Sequence, residues 1–228
     1  MGELWDAFVK ALHLIVTFDH EVMGAARVSL TIAAISCSIT VLLCLPLGSL
    51  IHFRRFRGKR FLTSAIQTLF SLPTVAVGLL VFVILSRAGP LGGLGIFLTP
   101  TAMVVGEIIL ISPVMLGLII SALSGVDKAV SETATSLGAS RFQASLITIR
   151  EARFAIIAAV IAGFSRAFAE VGVANMVGGN FAGSTRTLTT DMMLQTQMGN
   201  TQLAMALGII LILIGLVINV LLNRLQQR

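Results

Sequence analysis

The chain has 228 residues, of which 56% are hydrophobic and only 11% are charged, and its mean hydropathy is +0.98. Soluble domains carry about 25% charged residues, so the composition excludes a soluble globular domain and predicts an integral membrane protein. The formal net charge of +6 would suit nucleic acid, but in so apolar a chain basic residues mark cytoplasmic loops, and we expect no nucleic-acid binding.

Residues 1–24 predict a helix that lies on the lipid bilayer rather than across it. Four apolar residues recur along one side of this helix: Leu4, Phe8, Leu12 and Ile15. A segment with one apolar face packs against the headgroup boundary in this way. A sixth membrane span is the alternative for this segment.

Five further segments are apolar enough to cross a bilayer, for which about 20 residues suffice. They cover about residues 27–51, 61–86, 101–123, 153–177 and 201–222. The sequence therefore predicts an all-α, polytopic membrane protein with about five transmembrane helices and a single transmembrane domain over residues 1–228.

Positive charges indicate the orientation, because cytoplasmic connections carry the excess of Lys and Arg. Connector 52–60 has five of them, the stretch 127–153 has four, and the C-terminus has two, Arg224 and Arg228. The opposite side has only four. We therefore expect a multi-pass protein with its N-terminus outside and its C-terminus in the cytoplasm.

A polar stretch, residues 127–150, separates the third and fourth apolar segments. Asp127 is a candidate cap for a first short helix, which Gly138 would end. Ser140 and Gln143 have the spacing of a capping box that opens a second helix. The stretch therefore predicts two hinged amphipathic helices, which are either a docking element for a second protein or an ordinary interfacial connection.

Six residues of this stretch carry a resemblance to a known family: Glu132, Ala134, Gly138, Ala139, Ser140 and Arg141. They resemble the cytoplasmic EAA loop of ABC importer permeases, the coupling helix that sits in a cleft of the ATPase subunit. Thr133 stands where that family has the first Ala, and Arg150 and Glu151 stand where Leu-Pro is expected. These departures point to a subfamily, and the resemblance implies that the six residues couple the chain to an ATPase.

Three charged residues fall inside the apolar segments: Glu107, Arg166 and Glu170. Each charge at the bilayer centre costs about 3 kcal/mol, so such residues face protein or water. Arg166 and Glu170 are one helical turn apart and would form a packing salt bridge, or else they gate or line a transport path. Glu107 has no cation near it in the sequence.

The region from Arg166 onward resembles molybdate and tungstate importer permeases. There an Arg-Ala-x-x-Glu-x-Gly run precedes Gly-Asn and Thr-Arg-Thr-Leu. The matching positions are Arg166, Ala167, Glu170, Gly172, Gly179, Asn180, Thr185, Arg186, Thr187 and Leu188. The Val-Gly-Gly-Asn form with Thr-Leu-Thr-Thr is most similar to the tungstate branch. Our candidates for the translocation path or gate are Glu107, Arg166, Glu170, Gly172, Asn180, Thr185, Arg186 and Thr187.

The polar segment 178–200 has two interpretations. A tetrahedral dianion would be suited by Arg186, by the backbone amides freed by Gly178 and Gly179, and by the hydroxyls of Thr185, Thr187, Thr189 and Thr190. The alternative is a solvated outer loop that is rich in Ser and Thr because it leaves the membrane.

The resemblance implies a permease subunit of a prokaryotic inner membrane, working as a homodimer. It also implies two copies of an ABC ATPase and an extracytoplasmic oxyanion-binding protein as partners, with no cofactor. The chain has no GxxxxGK[ST] motif, so ATP hydrolysis would belong to the partner subunit rather than to this chain. The alternatives are a molybdate or sulfate importer and, from another class, a proton-coupled secondary transporter that uses Glu107 or Glu170.

Overall fold

A computed structural model of the chain describes the backbone of residues 2–226 and the side chains of residues 5–222 and 224. The side chain of Leu4 and the whole of Arg228 lie outside the described residues. Eleven α-helices follow one another in the described part: α1 (Gly2–Val16), α2 (His20–Phe53), α3 (Lys59–Thr68), α4 (Thr74–Leu85), α5 (Pro100–Ser124), α6 (Lys128–Ser136), α7 (Arg141–Glu151), α8 (Arg153–Phe168), α9 (Gly172–Gly178), α10 (Leu188–Gln197) and α11 (Thr201–Gln226). Residues 2–226 contain no strand, which confirms the all-α prediction.

Three helices, α2, α5 and α11, are individually long and apolar enough to cross a membrane. Helix α2 begins at His20, earlier than the sequence predicts, because Asp19 Oδ1 accepts a hydrogen bond from the Val22 N–H at 3.1 Å and caps it. With 34 residues it is about 50 Å long, more than the hydrocarbon layer requires. The three helices therefore set the length of the bundle.

The core forms where α2, α5 and α8 pack together. Small side chains of α2, such as Ala33 and Cys37, share one apolar cluster with Ile111 and Met115 of α5 and Ala159 of α8. A second cluster joins α4, α5 and α9. Helix α5 contributes to both clusters and lies at the centre of the bundle.

The second and fourth predicted spans are not continuous helices, which corrects the sequence-based expectation. Helices α3 and α4 meet at 98°, and α8 and α9 meet at 54°. The first break falls at Leu72 and Pro73, because proline lacks an N–H and forces the preceding residue into an extended conformation. The chain has five spans if each bent pair crosses the membrane once.

Helix α1 packs against α11, with Ala7 and Ala11 buried. Phe8 and Leu12 of its predicted apolar face are exposed, so this face is open to lipid. The 15 residues of α1 are about 22 Å long, shorter than the roughly 30 Å of a bilayer core. This length does not suit a sixth span.

The connector between α2 and α3 lies at the same end of the bundle as α6 and α7. Arg54 lines one cleft together with Arg141 and Phe142 of α7. At the end of α5, Ser124 Oγ lies 3.2 Å from His52 Nδ1. The two most basic connections of the chain therefore share one end.

Candidate functional site

Helices α6 and α7 form the bent pair that the sequence predicts. Asp127 Oδ1 accepts a hydrogen bond from the Ala129 N–H (2.9 Å) and caps α6. Gly138 has a φ of +88°, which favours glycine and turns the chain between the helices. The Gln143 N–H donates to Ser140 Oγ (3.3 Å), and the Ser140 N–H donates to Gln143 Oε1 (2.8 Å). Both caps and the glycine turn are confirmed.

This pair of helices presents large apolar side chains that no other described residue covers. Leu137 is 84% exposed and Phe142 is 72% exposed. Leu146 lines two clefts, one on each side of α7. Clustered apolar side chains on a surface mark an interaction site. We name the α6–α7 face that carries these three residues the coupling surface.

The other residues of the EAA-like motif lie on or beside this surface. Glu132 and Arg141 are exposed and form no ion pair with the rest of the described chain, whereas Ala134 is buried. Ala139 and Ser140 occupy the turn between the helices. The motif therefore has charged residues free for a partner and a small residue that packs inward.

Glu170 caps a helix and does not form a salt bridge with Arg166, which corrects the sequence-based pairing. Its Oε1 accepts a hydrogen bond from the Val173 N–H at 3.0 Å, at the start of α9. Its backbone oxygen accepts a hydrogen bond from the Thr189 hydroxyl at 2.7 Å. The pairing fails because α8 ends at Phe168, so Glu170 no longer follows Arg166 by one helical turn.

Two of the charged residues inside the bundle have polar atoms without partners. Glu107 is only 2% exposed, and its Oε2 has no hydrogen-bond partner in the described structure. The Arg166 Nε is also buried without a partner. Ser36 of α2 lies beside the Glu107 side chain, and the carboxyl groups of Glu107 and Glu170 are near enough to repel each other when both are charged. Helices α2 and α5 and the α8–α9 break therefore enclose a buried polar region.

Only residues 181–184 and 196–200 of segment 178–200 are exposed as a solvated loop would be, and the Thr185 and Thr187 hydroxyls are not free for an anion. Residues 188–197 form α10, and Thr185 and Thr187 are buried. The Thr185 hydroxyl donates to the Gly178 oxygen at 2.6 Å. The Thr187 hydroxyl accepts from the Thr190 N–H at 3.2 Å and caps α10. These hydroxyls hold the backbone in this conformation.

Two residues of the same segment keep unpartnered polar atoms. Arg186 Nε and Asn180 Oδ1 are buried and have no hydrogen-bond partner among the described residues. Asn180 adopts a φ of +55°, and its Nδ2 donates to the Thr190 oxygen at 3.3 Å. Arg186, like Arg166, therefore has donor capacity that the described chain does not use.

Gly172 joins the two helix breaks. A Cβ atom at this position would lie 2.8 Å from Thr74 Oγ1 and 3.1 Å from the Val75 nitrogen, so only glycine permits the contact. Thr74 begins α4, directly after the break at Pro73. The breaks in the two bent pairs are therefore packed against each other.

Sequence reasoning missed two buried polar residues of this region, Ser29 and Asp191. The Leu188 N–H donates to Ser29 Oγ at 2.9 Å, and the Gln195 side chain donates to Asp191 Oδ1 at 3.1 Å. Thr187 and Thr190 have a helix-capping spacing that could have indicated α10. No group of three His, Cys, Asp or Glu in the described part of the chain could hold a metal ion.

Comparison with known proteins relates this architecture to a family. The family described as "Binding-protein-dependent transport system inner membrane component" matches residues 44–228. The tungstate uptake system permease protein TupB of Peptoclostridium acidaminophilum is 35% identical over 227 residues, which is 100% of both chains. TupB of Campylobacter jejuni is 36% identical, covering 98% of this chain and 94% of the relative.

Similarity extends to a more distant relative and to solved structures. The molybdenum transport system permease protein ModB of Escherichia coli is 30% identical, covering 83% of this chain and 90% of the relative. Among solved structures, a bacterial alginate ABC transporter, in complex with an alginate pentasaccharide-bound periplasmic protein, has a chain with a TM-score of 0.76. That match is 19% identical and covers 99% of this chain and 86% of the other. It supports the fold alone.

Proposed function

Because the chain belongs to the family of inner membrane components of binding-protein-dependent transport systems, we propose that it imports tungstate or a related tetrahedral oxyanion. It would act as the permease subunit of an ATP-driven importer. The observation that carries the choice of cargo is the similarity to a tungstate permease along the whole of both chains. Family membership also argues against the proton-coupled secondary transporter.

The coupling surface supports a separate ATPase as a partner. Its exposed Leu137 and Phe142 need a protein cover at the end of the bundle, and the free charges of Glu132 and Arg141 can direct the docking. In our proposal Ala134, Gly138, Ala139 and Ser140 keep the two helices at a fixed angle. ATP-driven closure of the ATPase pair would then move α6 and α7.

The exposed face of α11 suits a homodimer, in which each copy would bind one ATPase. Helix α11 is the least buried of the three long helices, and its side chains Ile212, Leu216 and Val217 are exposed. In a membrane such a face contacts lipid or a second copy of the chain. We propose that two copies form the translocation path between them.

The buried polar region is our proposal for the path and its gate. Arg166 and Arg186 offer unused guanidinium donors, which bind oxyanions with good geometry. Glu170, Gly172, Thr185 and Thr187 would hold the helix breaks beside that path. Glu107 and Asn180 complete the proposed lining, each with one free polar atom.

The proposed orientation places the N-terminus outside and the C-terminus in the cytoplasm of a prokaryotic cell. The coupling surface would then meet the ATPase inside the cell. Exposed residues 181–184 would lie outside, where a binding protein delivers its oxyanion. Residues 1–228 would act as one transmembrane domain.

A molybdate importer is the second candidate, favoured by the similarity to the molybdenum permease. Sulfate is a third cargo of the same tetrahedral shape. Uptake by cells that express the permease with its ATPase and binding protein separates these possibilities. Cells given equal amounts of tungstate, molybdate and sulfate should accumulate tungsten first, measured by mass spectrometry. Accumulation of molybdenum without tungsten would show that the cargo is molybdate rather than tungstate.

A further inference from the structure

The connector between α2 and α3 concentrates positive charge on an exposed surface. Four exposed arginines lie within it or just after it: Arg54, Arg55, Arg57 and Arg60. None of their side chains forms a hydrogen bond or an ion pair with another described residue. Phe56 is exposed between the arginines, and Phe61 is 81% exposed directly after them. Cations beside aromatic rings suit a boundary that is anionic on one side and apolar on the other.

The backbone of this connector is fixed rather than loose. Lys59 Nζ donates a hydrogen bond to the His52 oxygen at 2.5 Å and closes the turn. Gly58 has a φ of +93°, and its oxygen accepts the Leu62 N–H at 2.9 Å at the start of α3. One of the five cations is therefore used to hold the turn. The four arginines remain free for an external anion.

Helix α3 follows the connector and is placed to lie along the membrane boundary. It runs at 98° to α4, so at most one of the two helices can lie along the bilayer normal. Ile66 of α3 is buried, and Phe70, two residues after α3, packs beside Gly117 of α5. Gly117 lies about two turns before the end of α5 at Ser124. The connector begins at the end of α2, where His52 lies beside Ser124 at the end of α5.

The electrostatics of α3 also favour an anion at this position. Lys59 and Arg60 occupy its first turn, which contains no acidic residue. The N-terminal end of a helix carries partial positive charge and stabilises anions. Two cations in the first turn are repelled by that charge. An anionic group between the connector and α3 would relieve both sources of positive potential.

We propose that residues 54–60 form a binding site for the headgroups of anionic phospholipids. Such lipids attract clusters of basic residues next to a membrane helix. The phosphate would contact the arginines, and Phe56 and Phe61 would enter the acyl boundary. Arg54 lines one cleft with Phe142 and Leu146 of the coupling surface, so only Arg55, Arg57 and Arg60 distinguish lipid binding from ATPase docking.

The test measures which lipid the purified permease retains. Wild-type protein is equilibrated with mixed vesicles of phosphatidylglycerol and phosphatidylcholine, extracted gently, and its bound lipid is counted by native mass spectrometry. Wild-type protein should retain phosphatidylglycerol in preference. The variant Arg55→Gln/Arg57→Gln/Arg60→Gln should lose this preference by at least about tenfold, since each basic residue near a surface contributes several-fold. Added salt should weaken retention by the wild type.

Two matched variants make the result specific. Lys10→Gln/Arg27→Gln/Arg87→Gln removes three charges elsewhere on the chain and should retain phosphatidylglycerol as the wild type does. Replacing the three connector arginines with lysine keeps the charge and should preserve most of the preference. The proposal is overturned if the glutamine variant, still folded by its thermal unfolding curve, retains lipid like the wild type. It is also overturned if that variant loses ATPase binding while lipid retention is unchanged, or if free phosphate displaces the lipid.

Discussion

Glu170 stabilises the break between α8 and α9 through its side chain. Its carboxylate accepts the Val173 N–H, so a carboxamide oxygen can take the same role. Glu170→Gln should therefore unfold within about 1 kcal/mol of the wild type, whereas Glu170→Ala should lose about 1–2 kcal/mol. Detergent-induced unfolding of the three proteins measures this difference. Equal destabilisation by both substitutions would contradict the capping role.

Arg166 gives a different expectation, because no ion pair is lost when it is replaced. Arg166→Met should keep the free energy of unfolding within about 1 kcal/mol of the wild type, since only one unpartnered charge is removed. We expect it to lower oxyanion uptake at least about tenfold, because a charged hydrogen bond contributes about 1.5–3 kcal/mol. Arg166→Lys should retain part of the uptake.

The control for Arg166 is Arg87→Met, which removes an exposed arginine outside the proposed path and should leave uptake unchanged. Stability and uptake are measured on the same vesicle preparations. A stable Arg166→Met protein with wild-type uptake would remove this residue from the path.

At the scale of elements, α6 and α7 were predictable because their signals are local. The hydrogen bonds of Asp127, Ser140 and Gln143 join residues only two or three positions apart. The turn at Gly138 depends only on the φ that this glycine adopts. Capping and turn chemistry of this range is visible in a sequence without knowledge of the tertiary fold.

The broken spans and the buried threonines depend on contacts that no local pattern contains. Pro73 signals a break but gives no angle. The break at residues 169–171 has no proline, and Glu170 is held there by Thr189, 19 residues away. Leu188 bonds to Ser29, which is 159 residues distant. Hydrophobicity therefore predicted the apolar segments, but not their bends or the role of segment 178–200.

The turn between α6 and α7 carries the prediction for ATPase coupling. Gly138→Leu places a Cβ at a φ of +88°, which costs roughly 1–2 kcal/mol and should change the angle between the helices. Gly138→Asn should be tolerated, because asparagine adopts this conformation more readily. We expect the Leu variant to insert normally but to lose most ATPase association and transport, as should Glu132→Ala.

Gly125→Ala is the control for this experiment, because Gly125 has a φ of −78° and an added Cβ there makes only ordinary contacts. Association is measured by co-purification of the ATPase. Normal association and uptake in both Gly138→Leu and Glu132→Ala would refute the coupling surface.

At the scale of the whole molecule, charge asymmetry gives an orientation that thiol labelling can test. Cys37 and Cys44 are buried, so a background without them leaves single introduced thiols to be observed. Arg57→Cys should resist an impermeant reagent added outside the cell, whereas Ser184→Cys should react. Both positions are exposed, so a difference reports the side of the membrane. Labelling of both would contradict the orientation.

As a whole, the chain is the transmembrane part of the proposed ATP-driven oxyanion importer. The most direct measurement is tungstate uptake by vesicles that contain the permease and its ATPase, with the binding protein on the side that receives substrate. We predict uptake that requires ATP hydrolysis, stops with a non-hydrolysable ATP analogue and is lost with Gly138→Leu. Tungstate uptake that follows an imposed proton gradient without ATP would contradict the account.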